Sequence, residues 1–297
     1  MSVRLSRIEA NPETAVAGVD VGEDFLDFAI IERGWKRIEY RRVGLRGIDS
    51  AALDSLRERI VAAAPMLTPG AIAIVDSPRW PRDLDASCGG DSPRESVVSG
   101  REIDRALRVI YRRIAAAEGG NPRLAMFPSP RLDYFLGCVA HPACKPHLRR
   151  IGRELFGNSR QTPAPIEKPG MLFTRFMLAG FALYRALEAG GIEALESFPD
   201  LQFRLCAPRR ELISKQRGHA ALAMRRRIAG RLFAQLEICG APPATIDLAD
   251  AAIMALCFVM AARGGTILAL ECAAEGRFLL ALTGAQAGLF QADENAA

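Results

Sequence analysis

The sequence predicts an α/β fold: a mixed, five-stranded β-sheet flanked by helices, in the order β-β-β-α-β-α-β-α, with a large insertion after the fourth strand. Three observations predict it. Three short strand-like runs follow one another near the N-terminus and are followed by an amphipathic helical run and a fourth, wholly apolar run. A strand that follows a helical crossover can lie parallel to the first strand, which makes the sheet mixed. After a long irregular stretch, apolar helical and strand-like segments resume their alternation.

The elements follow in chain order. Residues 15–21 form an apolar run ending in Asp20-Val21-Gly22, the pattern of a buried strand. Residues 25–32 read as a second strand after a tight turn, and residues 36–43 alternate charged and apolar side chains as an exposed edge strand does. Residues 48–64 have helical spacing, with Leu53, Leu56, Ile60 and Ala63 on one face. Residues 70–75 are the next buried strand, stopped at Asp76-Ser77-Pro78 because proline cannot continue a central ladder. Residues 79–170 are rich in Pro, Gly and Arg around one amphipathic helix at 102–116. Residues 171–189 read as an apolar helix, 192–198 as a short strand, 209–236 as one long or two short basic helices, 246–263 as a buried helix and 277–282 as a last strand. One domain over 14–285 is expected, carrying 83–168 as an inserted lid-like region, with an arm at 1–13 and a frayed tail at 286–297.

Composition bounds the function. With 297 residues, 49% hydrophobic and 25% charged, the chain is globular rather than disordered. The longest apolar run, 251–262, is too short to span a bilayer, and residues 1–13 have no apolar core of a secretory signal. Seven scattered cysteines, an odd number, fit reduced thiols rather than a disulfide framework, and a cytoplasmic location is expected. The net charge of +5 and pI of about 9.0 fit an anionic partner such as nucleic acid. The near-absence of lysine beside abundant arginine is equally what a GC-rich genome writes.

Four acids stand where a carboxylate is unexpected. Asp20 and Asp76 end apolar strands, Glu196 lies in a short strand, and Asp250 lies early in an almost wholly apolar helix. A buried ionised carboxylate costs several kcal/mol unless it is paired or bound to a cation. If these element ends converge, the acids form a pocket for Mg²⁺ or Mn²⁺, which prefer oxygen ligands. Two such ions can clamp the attacking and leaving oxygens of a phosphodiester displacement. Each acid also has a plainer reading. Asp20 and Asp76 can serve turns, Glu196 can face solvent on an edge strand, and Asp247 reads better as an N-cap than as a metal ligand. That reading puts Asp250 at the third helical position, where its charge suits the helix dipole.

These residues resemble the RNase H-like superfamily, and more narrowly a bacterial and archaeal family of predicted nucleases, domain-of-unknown-function family 429. The resemblance rests on Gly18-Val19-Asp20, Asp76-Ser77-Pro78, Glu196-Ser197-Phe198-Pro199, Lys215-Gln216-Arg217-Gly218 followed by Arg225, and Asp247-Leu248-Ala249-Asp250-Ala251. It covers about residues 15–82 and 171–282, and Ser77-Pro78-Arg79 departs from the family's apolar segment at that corner. The resemblance implies a metal-dependent nuclease in which Asp20, Asp76, Glu196 and Asp250, with Asp247, bind Mg²⁺ or Mn²⁺. Lys215 or Arg225 would then steady a phosphate or developing charge.

Two basic stripes could track phosphates without reading sequence: Arg101, Arg105, Arg108 and Arg112 on one helix, and the cluster from Arg209 to Arg231 that includes Lys215, Arg217 and Arg225. A solvated helix face is the competing reading of both. Cys138, His141, Cys144 and His147 recur every third residue and suit a structural Zn²⁺, against unrelated loop residues held apart by Pro142 and Pro146. Two other functions stay open. One is a non-catalytic nucleic-acid or protein-binding module on the same fold. The other is an actin-like ATP-binding protein, which shares the Asp-x-Gly opening but would need a second glycine-rich hairpin that this chain lacks.

Overall fold

The structure is a computed structural model. It describes residues 3–22, 24–45, 52–77, 103, 106–107, 109–110, 171–206, 213, 215–264, 267–272 and 276–281, with backbone alone at 52–55, 171–178, 181 and 204. The stripe residues Arg101, Arg105, Arg108 and Arg112, the zinc candidates Cys138, His141, Cys144 and His147, Arg209, Arg210, most of the insertion and the C-terminal tail lie outside the described residues.

Among the described residues, eight strands, not five, form one sheet: β1 (Arg4–Arg7), β2 (Val16–Val21), β3 (Phe25–Ile31), β4 (Ile38–Gly44), β5 (Ile72–Asp76), β6 (Glu193–Glu196), β7 (Leu268–Cys272) and β8 (Gly276–Leu280). Their order across the sheet is β1-β7-β8-β6-β5-β2-β3-β4. The β2-β3-β4 meander is antiparallel, while β5 runs parallel to β2 and β6 parallel to β5. This mixed sheet with its helices is the α/β architecture the sequence predicts. The last strand expected at 277–282 is β8; the strands the sequence does not announce are β7, which forms a hairpin with β8 beyond β6, and β1, which lies within the stretch expected to be an arm and pairs antiparallel with β7. A four-residue Arg-Leu-Ser-Arg run is too short and polar to declare a strand; the free edge of β7 makes it one.

The helices whose backbone is described from end to end and that pack with the sheet are α1 (Ala52–Ala63), α2 (Met171–Ala189), α3 (Pro199–Cys206), α4 (His219–Gln235) and α5 (Ile246–Arg263). One face packs Ala17, Val19, Leu26, Phe28 and Val75 against Leu56 and Ile60 of α1 and Leu183 and Leu187 of α2. The other packs Val16, Ala29, Ile31, Ile72 and Ile74 against α4 and α5. Helices on both faces explain why every residue of β2 is buried and why its sequence shows no polar alternation. The described residues of the insertion helix, Ile103, Leu107 and Ile110, are buried against Leu201 and Leu205 of α3 and Leu268, Leu270 and Phe278 of the hairpin. Cys206, Cys239, Cys257 and Cys272 are free thiols. No helix among the described residues is long and apolar enough to cross a membrane.

Gly18 sets the distance between β2 and α5. A Cβ built on it would stand 1.9 Å from the carbonyl oxygen of Ala251, so the helix backbone rests directly on the strand. This contact brings the first turns of α5 beside the C-terminal end of β2. Gly18→Ala is expected to cost about 3 kcal/mol, the upper end of ordinary overpacking, because the obstacle is backbone and cannot rotate away. Urea denaturation measures it; a loss below about 0.5 kcal/mol, as at an ordinary surface site, would refute the close approach.

A candidate metal centre at the strand ends

Three of the four singled-out acids come together at one end of the sheet. Asp20 and Asp76 are direct partners in the parallel β2–β5 ladder. Neighbouring strands lie about 4.8 Å apart, and ladder partners point to the same face. That face is the one α5 covers, so Asp250 meets them from above. Asp20 is 7% exposed and Asp250 fully buried, whereas Asp76, the last residue of the central strand β5, is half-buried. Gly180 of α2 admits the Ser77 side chain at the next position, and the Tyr184 hydroxyl donates to the Ser77 carbonyl at 2.9 Å, which holds the strand end in place.

Glu196 sits differently. It pairs with Val75 rather than with Asp76, and alternation along β6 turns it toward the α2 face shared by Val75 and Ala194. Its charge still reaches Asp76. The first turn of α5 also differs from the sequence expectation. The N-cap is Thr245, whose Oγ1 accepts from the Leu248 N–H at 3.1 Å, so Asp247 is the second helical residue and Asp250 the fifth. Threonine caps as aspartate does, so both positions are competent on sequence grounds. Asp247 is half-buried and faces Asp27, Lys215 and Asp250.

Two cations hold Asp250. The Arg225 Nε donates to Oδ1 at 2.9 Å, and the Lys215 ammonium contacts Oδ2. Arg225 is 2% exposed, its guanidinium also donating to the Ile213 carbonyl and lying over the Phe203 ring, 5.0 Å from its centroid. Arg225 is therefore not one of the phosphate-tracking residues of the basic stripe. The apolar packing of α4 turns this one arginine inward while Arg217, on the one-turn 3-10 helix Lys215–Arg217, stays exposed.

A second acid pair was not singled out from sequence. Asp27 of β3 is the antiparallel partner of Asp20 and fully buried, and Arg42 of β4 grips both its oxygens at 2.7 and 2.6 Å while stacking on Phe25. The signal was available: Asp27 interrupts Phe-Leu-Asp-Phe-Ala-Ile-Ile on the same side of the sheet as Asp20.

The crowding of acids shows in their titration. Burial first, then the charges of Asp76 and Asp250, hold the Asp20 carboxyl well above the usual carboxylate range. Burial, with the charges of Asp250 and Glu196, pushes Asp76 up to about 7, although Lys215 and the hydrogen bond with Asp20 pull the other way. Burial works against the Lys215 ammonium, but Asp250, Asp20 and Asp76 outweigh it and hold it above the ordinary lysine range. Asp76 releases its proton near pH 4 when unfolded and near 7 when folded, so the folded state binds more protons in between. Stability of the metal-free protein therefore falls as pH rises through about 4 to 7, the reverse of ordinary acid denaturation. Thermal melts in chelator should show a higher Tm at about pH 5 than at about pH 8, and Asp76→Asn should flatten the profile. A Tm that rises over the same window would contradict it.

Oxygen donors in this density suit a hard divalent cation. Asp20 and Asp76, pressed together and reluctant to ionise, have the electrostatics of a site short of positive charge. No group of three His, Cys, Asp or Glu among the described residues is arranged around a metal position, and Asp250 is turned to Lys215 and Arg225.

No protein-family model matches the chain, and no curated protein sequence matches it. Among solved structures, T. thermophilus RuvC in complex with a Holliday junction substrate is similar over 90% of this chain and 99% of that one, at 14% identity and a TM-score of 0.39.

Proposed function

We propose that this protein is a divalent-metal-dependent nuclease or phosphodiesterase on an RNase H-like fold, with Asp20, Asp76 and Asp250 as the residues that hold Mg²⁺ or Mn²⁺. The narrower resemblance to family 429 belongs to the same proposal. The observation that carries it is the Asp20–Asp76 pair, two carboxyls side by side on parallel strands with Asp250 packed against them. Such a cluster is costly in a fold and is retained where a cation offsets it. Bound there, a divalent ion polarises a phosphoryl oxygen and lowers the pKa of water. The chain's own residues do the rest. Arg225 fixes Asp250, Arg42 and Asp27 neutralise one another beside Asp20, and Arg217, which is exposed, would meet a phosphate. Glu196 and Asp247 flank the cluster and adjust its charge.

The test is incubation of the full chain with Mn²⁺ and a panel of RNA, DNA and branched duplexes, beside Asp20→Asn. Cleavage that persists undiminished in Asp20→Asn removes Asp20 from the reaction. A second reading is favoured by the double engagement of Asp250: a nucleic-acid-binding module whose carboxylates are neutralised by its own side chains. Calorimetry separates the two, since the module binds nucleic acid and no Mn²⁺.

A further inference from the structure

The cation nearest the acidic pocket belongs to the chain. The Lys215 ammonium contacts Asp250 Oδ2 and lies within electrostatic reach of both Asp20 and Asp76. Arg225 takes the opposite oxygen of Asp250. The two cations are held very differently. Arg225 is a buried part of α4 and has a second anchor at Ile213. Lys215 reaches in from a one-turn 3-10 helix that contributes no buried residue, and its side chain is 49% exposed. Lysine is a compact, strongly hydrated charge on a flexible four-carbon stem, so an exposed one leaves an ion pair at small cost; a buried, planar, doubly anchored guanidinium does not.

We propose that Lys215 is a resident counter-ion. Its ammonium fills the position that a divalent ion takes between Asp20, Asp76 and Asp250, and the metal binds by displacing it. The proposal rests on the metal reading above and adds to it how the site is occupied and released. Three properties follow from the charges. A dication outcompetes a monovalent ammonium for three clustered carboxylates, whereas Na⁺ or K⁺ gains nothing by the exchange. Affinity for the metal is lowered by the work of removing the ammonium. The displaced ammonium returns to solvent on the side of the one-turn 3-10 helix that carries it.

Titration calorimetry and thermal melts with MnCl₂ on the full chain test this, using wild type, Lys215→Met and Lys215→Arg. Lys215→Met should bind Mn²⁺ at least about tenfold more tightly than wild type and show a larger Mn²⁺-induced rise in Tm. Lys215→Arg, which keeps the charge, should bind no better than wild type. A measurement on wild type stands beside these in case Lys215→Met folds poorly. Acylation of Lys215 by an amine-reactive anhydride, followed by mass spectrometry, should quicken several-fold when Mn²⁺ is added. If wild type binds Mn²⁺ and neither the affinity of Lys215→Met nor the acylation rate changes, the counter-ion role is overturned while the metal reading stands. If Mn²⁺ binds neither wild type nor Lys215→Met, both are overturned.

Discussion

Asp20→Asn is expected to abolish Mn²⁺ binding and any metal-dependent cleavage while leaving the protein folded. Asparagine has the same shape, so the β2 ladder and the packing of α5 are undisturbed. The negative charge at the centre of the cluster is lost. Losing even an outer partner of a metal site costs roughly 10–100-fold, and the loss at Asp20, where ladder partner and helix both converge, should exceed that. The stability effect has the opposite sign. Asp20 resists ionisation because it is buried beside Asp76 and Asp250, so a neutral amide relieves repulsion. In chelator above about pH 7 the variant should melt higher than wild type. Lost binding with raised metal-free Tm marks a functional acid; lost binding with a lowered Tm would instead mark Asp20 as structural.

Arg225→Met should be the most destabilising of the single changes at the site. Removing one partner of a buried ion pair costs about 3–5 kcal/mol, because the other charge is left buried without its counter-charge. Asp250 is fully buried, and only Lys215, from the exposed side, would remain to it. Replacing both partners is far milder, since a well-packed apolar pair can substitute for a buried ion pair at little or no cost. Arg225→Met with Asp250→Leu should thus recover most of the loss in urea denaturation, while Mn²⁺ binding is lost in the double variant. Additive losses in the double variant would show that the two side chains act independently.

The parts of this architecture legible in the sequence are those written in local pattern. The meander, the crossover helix and β5 follow from apolar runs, alternation and the stop at Pro78. Asp20, Asp76 and Asp250 stood out because each interrupts an apolar segment. Glu196 stood out for the same reason, yet its one-residue offset in register turns it to the other face, a distinction that only pairing reveals. The cap of α5 was misplaced because Thr245 and Asp247 are both competent caps two residues apart. Local pattern makes Arg225 one more member of a basic run, since nothing in a string of three arginines marks the one that turns inward; the family resemblance alone sets it apart, and as a phosphate-steadying residue rather than the buried partner of Asp250.

Side-chain chemistry over short spans encodes the order of elements along the chain and marks Asp20, Asp76, Glu196 and Asp250 as unusual acids. Which of them share a face, and which charges neutralise which, depends on tertiary packing. β1 exists because β7 offers an edge; Gly18 lets α5 settle onto β2; and that approach delivers Asp250 to Asp20 and Asp76, with Arg225 and Lys215 on either side of it. Ion pairing depends on distances between residues remote in sequence and on the dielectric around them, and neither exists until the chain has folded.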